Sequence, residues 1–99
     1  MSVRFLPPAE AELDEAVSYY NAQSAGLGAE FVSEIREGLA RIEQFPQAWQ
    51  LLGERGRRYR LRRFPYGLVY VEAGSDIIVL AVMHLHRRPG YWKERLGQV

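Results

Sequence analysis

Two rhythms of apolar residues divide the chain. After a short strand-like start, Ser2 to Leu6 with Val3 and Phe5 on one face, Pro7-Pro8 ends the extended run and opens a helix. Ala9, Leu13, Ala16, Val17 and Tyr20 then recur at helical spacing. Glu10, Glu12, Asp14 and Glu15 lie mostly off that stripe, where acids near a helix N-terminus suit the macrodipole. Asn21 to Gly28 reads as a break. A second helix is expected from about Ala29 to Phe45, with Phe31, Ile35, Leu39 and Ile42 as its stripe and Pro46 as its stop. A short loop between two helices predicts an antiparallel hairpin. Gln47 to Gly56 reads as a loop whose Trp49, Leu51 and Leu52 cover the end of that hairpin.

From Arg57 the period changes from helical to strand-like. Arg57 to Phe64, Gly67 to Glu72 and Asp76 to His86 read as three strands, with Phe64-Pro65-Tyr66-Gly67 and Ala73-Gly74-Ser75 between them. Short connections imply an antiparallel meander. Alternation puts Tyr59 and Leu61 on one face of the first strand and Arg58, Arg60 and Arg62 on the other. In the third strand Ile77, Val79, Ala81, Met83 and Leu85 share one face, and Ile78, Leu80 and Val82, then His84 and His86, share the other. A strand apolar on both faces is an interior strand. Val79, Ala81 and Met83 are accordingly expected beneath Leu13, Val17, Ile35 and Leu39. Arg88-Pro89-Gly90 breaks the last strand, and Tyr91 to Leu96 suits a helical turn. The fold class is α+β: a short N-terminal strand, a two-helix hairpin, a three-stranded meander and a C-terminal tail or helix, in one domain over residues 1–99.

The net charge of +1 conceals an asymmetry. Residues 1–50 hold three Arg against eight Asp/Glu, a net of −5, and residues 51–99 hold ten Arg/Lys against four Asp/Glu, a net of +6. Lys93 is the sole lysine. Without cysteine there is no disulfide framework, thiolate metal site or thiol nucleophile. No apolar run reaches membrane-spanning length, and the acidic N-terminal stretch lacks a signal-peptide core. A cytoplasmic protein without membrane partners, cofactor or metal is the expectation.

Three stretches resemble the RelE/ParE superfamily of type II toxins: FPYGLVY (Phe64 to Tyr70), DIIVLAVMHLHRRPGYW (Asp76 to Trp92) and the helix end ARIEQFPQAW (Ala40 to Trp49). Their order and spacing carry the resemblance over nearly the whole chain. It implies the fold, a toxin role and a cognate antitoxin, in a toxin–antitoxin hetero-oligomer. Two targets are implied by different members: DNA gyrase, poisoned by binding, or the ribosome and its mRNA, cleaved. An orphan member serving as a non-toxic binding module is the third reading.

The candidate residues follow from these alternatives. Arg55 to Arg63 holds six arginines in nine residues, suited either to a polyanion or acidic antitoxin segment or to a charged edge strand that resists aggregation. Arg58, Arg60, Arg62, Arg87, Arg88 and Trp92 are the candidates for antitoxin or target binding. His84 is the candidate proton-transfer group, or a hydrogen-bonded residue at the sheet margin. In the superfamily's ribonucleases an Arg and a Tyr near the C-terminus serve the cleavage, and Arg87 and Tyr91 match those positions. The alternative for Tyr91 and Trp92 is packing of the tail on the sheet. Those ribonucleases also place an Arg on the middle strand of the meander, where this chain has Gly67, and lysines before it, where this chain has none. That departure turns the expectation toward the ParE side and gyrase.

Overall fold

The computed structural model describes residues 2–99. Strand β1 (Val3–Phe5) leads into helix α1 (Pro7–Gln23), with Pro7 at the first helical turn, where its missing N–H costs nothing. Gly26 takes the left-handed conformation, φ 83°, and turns the chain within a few residues into α2 (Leu27–Gln44). The break between the helices is thus shorter than the Asn21 to Gly28 expected. Asn21 fastens the hairpin by accepting a 2.9 Å hydrogen bond from the Gly28 N–H.

Five strands form one sheet in the order β1-β5-β4-β3-β2, from β2 (Gln50–Leu52), β3 (Gly56–Arg60), β4 (Tyr66–Ala73) and β5 (Asp76–His84). β1 runs parallel to the interior strand β5, and the other neighbours are antiparallel. The meander is therefore one strand longer than expected. Gln50–Leu52, read as loop, pairs with Gly56–Arg58. Of the three apolar residues in that segment, only Trp49 packs on the helix side, edge-on to Tyr59. Leu52 packs on the opposite face and Leu51 is exposed.

Both helices lie on one face of the sheet. The expected stripes are the ones that pack there: Ala9, Ala16, Phe31, Ile35 and Ile42 are buried, with Leu13, Val17, Tyr20 and Leu39 partly buried against them. Tyr20, Phe31, Phe64 and Tyr66 make an aromatic cluster with ring centroids 4.8–6.1 Å apart. A second apolar layer, with Leu6, Val69, Val71, Ile78, Leu80 and Met83, covers the other face. The C-terminal tail closes it. Trp92 is buried there, and its ring lies so close to Gly56 that a Cβ at that position would meet it at 2.9 Å. The tail ends in a 3-10 helix, Lys93–Gln98. No helix among the described residues is long and apolar enough to cross a membrane.

A β-bulge sets which residues face the helices. Val69 pairs with Ala81, but the next residue, Tyr70, pairs with Val79, so Leu80 is the extra residue on β5. Leu80 and Ala81 both join the second layer, and the parity of everything beyond reverses. Val82 packs beneath the helices with Ile77 and Val79, whereas Ala81 and Met83 face the tail. The expectation that Ala81 and Met83 lie under the helix stripes is corrected by this one-residue insertion, and Val79 alone of the three sits there.

Candidate functional site

β1 pairs with β5 only as far as Val79, and one carboxylate gathers what surrounds the backbone polar groups beyond it. Glu12, on the face of α1 turned toward β5, accepts from the Val82 N–H at 3.0 Å. The Arg95 guanidinium meets the same carboxylate through both nitrogens, at 2.8 and 3.1 Å, and donates to the Leu80 carbonyl at 2.9 Å. The Tyr91 hydroxyl donates to Glu12 Oε2 at 2.7 Å. Burial, with that hydrogen bond second, pushes the Tyr91 phenol well above its ordinary value, so it holds its proton at neutral pH. The guanidiniums of Arg87 and Arg95 lie over the Tyr91 ring, at 4.0 and 5.1 Å from its centroid. Arg87 is half-exposed and reaches within 4.0 Å of Glu12. These contacts bolt the tail to the first helix and the bulge.

His84 stands on the helix side of the same sheet end. Its ring meets Tyr66 edge-on at 5.0 Å and His86 at 5.1 Å. The His86 N–H donates to His84 Nδ1 at 3.1 Å, which leaves the proton of the neutral ring on Nε2. An open pocket of about 270 Å³ is bordered by His84, Arg87, Tyr66, Tyr19, Glu12 and Glu15. The structure therefore brings His84 and Arg87 to one cavity. Tyr91 does not border it, and its hydroxyl is engaged by Glu12, which does.

The arginines of the run do not share one environment. Arg57 and Arg58 brace the β2–β3 hairpin, donating at 2.8 Å to the Trp49 carbonyl and to Gln50 Oε1. Arg58 and Arg60 share the tail-covered face, as alternation requires. Arg62 does not extend their row. The strand stops at Arg60 because buried Glu34 of α2 captures the backbone N–H groups of Arg62 and Arg63, at 2.5 and 2.8 Å. Their side chains point to solvent, and Arg63 pairs with Glu30 at 2.7 Å. Arg88 is exposed in the turn before the tail. Trp92 is 3 % exposed, so its ring holds the tail in place and offers little surface to a partner.

The profile of a known family, described as ParE toxin of type II toxin-antitoxin system, parDE, matches residues 3–89. The chain belongs to this ParE toxin family. Among solved structures it is similar to a chain of the chromosomal ParDE TA system from P. aeruginosa, at 22 % identity and a TM-score of 0.75, over 87 % of this chain and 97 % of that one. No curated protein matches in sequence. The family match ends at Pro89, so the ParE profile spans β1 to β5, with Glu12 and the bulge, but stops before Tyr91, Trp92 and Arg95. In this ParE chain the tail is thus fixed by contacts outside the matched region to residues within it.

Glu12, Glu34 and Arg95 were not among the candidates drawn from the sequence. Glu12 and Glu34 resemble ordinary helix acids in composition, but each sits between buried positions of its stripe. Glu12 is three residues after Ala9 and four before Ala16, and Glu34 is three after Phe31 and one before Ile35. An acid at such a place carries a bound partner, and that is the signal that finds both.

Proposed function

We propose that this ParE-family chain is a cytoplasmic toxin that inhibits growth by binding and poisoning DNA gyrase, and that a cognate antitoxin neutralises it. Such a pair suits a plasmid-stabilisation role. The observation that carries the reading is the engagement of Tyr91. Its hydroxyl is donated to Glu12, and its phenol is shifted away from ionisation. The residue that matches the ribonuclease tyrosine is thus employed in holding the tail. The place of the middle-strand arginine is Gly67, buried against the Arg58 stem, with no charge to offer a phosphorane. Losing one such electrostatic contact costs about two to three orders of magnitude in rate.

One observation favours the alternative, a ribosome-dependent mRNA endonuclease. His84 and Arg87 border one open pocket, an acid–base group beside a fixed positive charge. Induction of the protein alone in cells separates the two readings. The expected outcome is covalent gyrase–DNA breaks and a DNA-damage response, with translated mRNA left intact. Codon-position cuts in translated mRNA, lost in Arg87→Ala or His84→Ala, overturn the gyrase reading.

A further inference from the structure

On the sheet face away from the helices, an open groove of about 210 Å³ runs between the β2–β3 hairpin and the tail. Leu52 and Pro89 supply apolar walls over a floor of nearly buried Met83 and Trp92, and Arg58 and Lys93 supply the charges. No carboxylate among the described residues lines it. Gly53 and Gly90, both at positive φ, stand at its borders, and the Lys93 stem lies against Gly90.

Arg58 is the informative member. Its stem lies against Gly67, where a Cβ would meet its Cγ at 2.9 Å. Its Nη2 donates to a neutral acceptor, Gln50 Oε1, and its Nε is buried without a partner. The guanidinium is therefore held in place with its charge uncompensated. Arg95, by contrast, has the carboxylate of Glu12, and Arg57 leaves no nitrogen buried without a partner. A fixed guanidinium without an anion, beside an apolar slot and a flexible Lys93, is complementary to a carboxylate that follows an apolar side chain.

We infer that this groove receives a short acidic segment of a protein partner, with one apolar side chain on Leu52 and Pro89 over the floor of Met83 and Trp92, and an adjacent Asp or Glu on Arg58 and Lys93. The source to which we assign the segment is the antitoxin, and this assignment rests on the neutralisation reading above. The groove's wall is the tail, held by the buried Trp92 ring and by the bonds of Tyr91 and Arg95 to Glu12. Acidic residues of the N-terminal half of a second copy, or a nucleic-acid phosphate, are the competing occupants that the test must exclude.

The test has two arms, both on the full chain. In the first, isotope-labelled protein is titrated at low salt with a capped peptide of one leucine flanked on each side by two glutamates, and with its lysine counterpart. The Met83 methyl and Trp92 indole signals are followed. Shifts with the glutamate peptide alone, abolished in the exposed-site variant Lys93→Glu, are expected. Unmoved signals overturn the proposal, as do larger shifts with a short DNA duplex, or shifts that appear on raising the protein concentration alone. In the second arm, the antitoxin from the neighbouring reading frame is titrated against wild type, Lys93→Glu and Arg58→Gln. Each variant is expected to weaken the complex about tenfold or more at low salt and less at high salt. Unchanged affinity in both variants moves the antitoxin off this groove. Should no antitoxin bind the wild type, the neutralisation reading fails, while the peptide arm still decides what the groove accepts.

Discussion

Arg95 and Glu12, separated by 83 positions, form a two-pronged ion pair across the side of the fold, with Nη1–Oε1 at 2.8 Å and Nη2–Oε2 at 3.1 Å. The side chains are 16 % and 12 % exposed, so solvent does little to screen the pair. Removing the carboxylate leaves a nearly buried guanidinium without its counter-charge, and a phenol and the Val82 N–H without their acceptor. Glu12→Ala is therefore expected to lower stability by about 3–5 kcal/mol. Urea unfolding measures this, and a double-mutant cycle with Arg95→Ala should return a coupling well above the values typical of exposed pairs. Additive single costs would show that the pair contributes no energy of its own.

Gly38 of α2 tests the packing of the helices on the sheet. A Cβ there would meet the Tyr59 ring at 2.8 Å and Leu68 at 3.2 Å, both buried. Helix propensity favours alanine over glycine by about 1 kcal/mol. Forcing an extra carbon into a packed core costs about 1–3 kcal/mol. The ring of Tyr59 is confined by Trp49 at 4.8 Å and by a hydrogen bond from Arg41, so the clash should win. Gly38→Ala is expected to unfold at lower urea than wild type, and a rise in the midpoint would mean that α2 stands off the sheet.

The same geometry grades the hydrophobic stripe. Ile42 is fully buried and Leu39 only partly. Ile42→Ala is expected to cost about 2–5 kcal/mol, with Leu39→Ala costing less than Ile42→Ala. Equal losses on denaturation would place Leu39 deeper than it lies here.

Periodicity made the helix stripes legible, because proline and glycine bracket two runs of clean helical spacing. Burial on both faces also marked β5 as interior. The bulge left no such mark. Leu80 and Ala81 are apolar on either face, so the pattern accommodates the extra residue silently while Val82, Met83 and His84 change sides. β2 was hidden because three residues, Gln50-Leu51-Leu52, cannot display an alternation. The row of arginines was read correctly at Arg58 and Arg60 and overextended at Arg62, since a tertiary contact from Glu34 ends the strand. The ion pairs at Glu12 join the two ends of the chain, and no local pattern connects such distant partners.

Tyrosines make stability sensitive to alkali. Burial raises the phenols of Tyr20 and Tyr66, pushes Tyr70 up to about 12, and raises Tyr91 further with help from its bond to Glu12. In each case the folded chain holds a proton that the unfolded chain releases near pH 10. The stabilisation is complete below pH 10 and is lost as pH rises from 10 through the folded values. The urea midpoint should therefore fall above pH 10, and more shallowly in Tyr70→Phe. A midpoint flat from pH 9 to 12 would mean that these hydroxyls ionise as freely folded as unfolded.

Tyr91→Phe separates a structural hydroxyl from a chemical one. As a catalytic group, the hydroxyl is required for toxicity, and its loss should protect cells as fully as deletion of the toxin. As a latch, it contributes one hydrogen bond to a carboxylate, about 1.5–3 kcal/mol. The ring, which keeps its contacts with Arg87 and Arg95, remains. Tyr91→Phe is expected to lower the urea midpoint yet retain growth inhibition at temperatures where it stays folded. Arg95→Ala removes the larger clasp and should release the tail, seen as increased exposure of Trp92 by fluorescence and faster amide exchange over Lys93–Gln98. If the tail shapes the binding face, toxicity should fall in Arg95→Ala in step with that release and persist in Tyr91→Phe. Loss of toxicity in a folded Tyr91→Phe with Trp92 still buried would instead assign the hydroxyl to chemistry and return the protein to the ribonucleases.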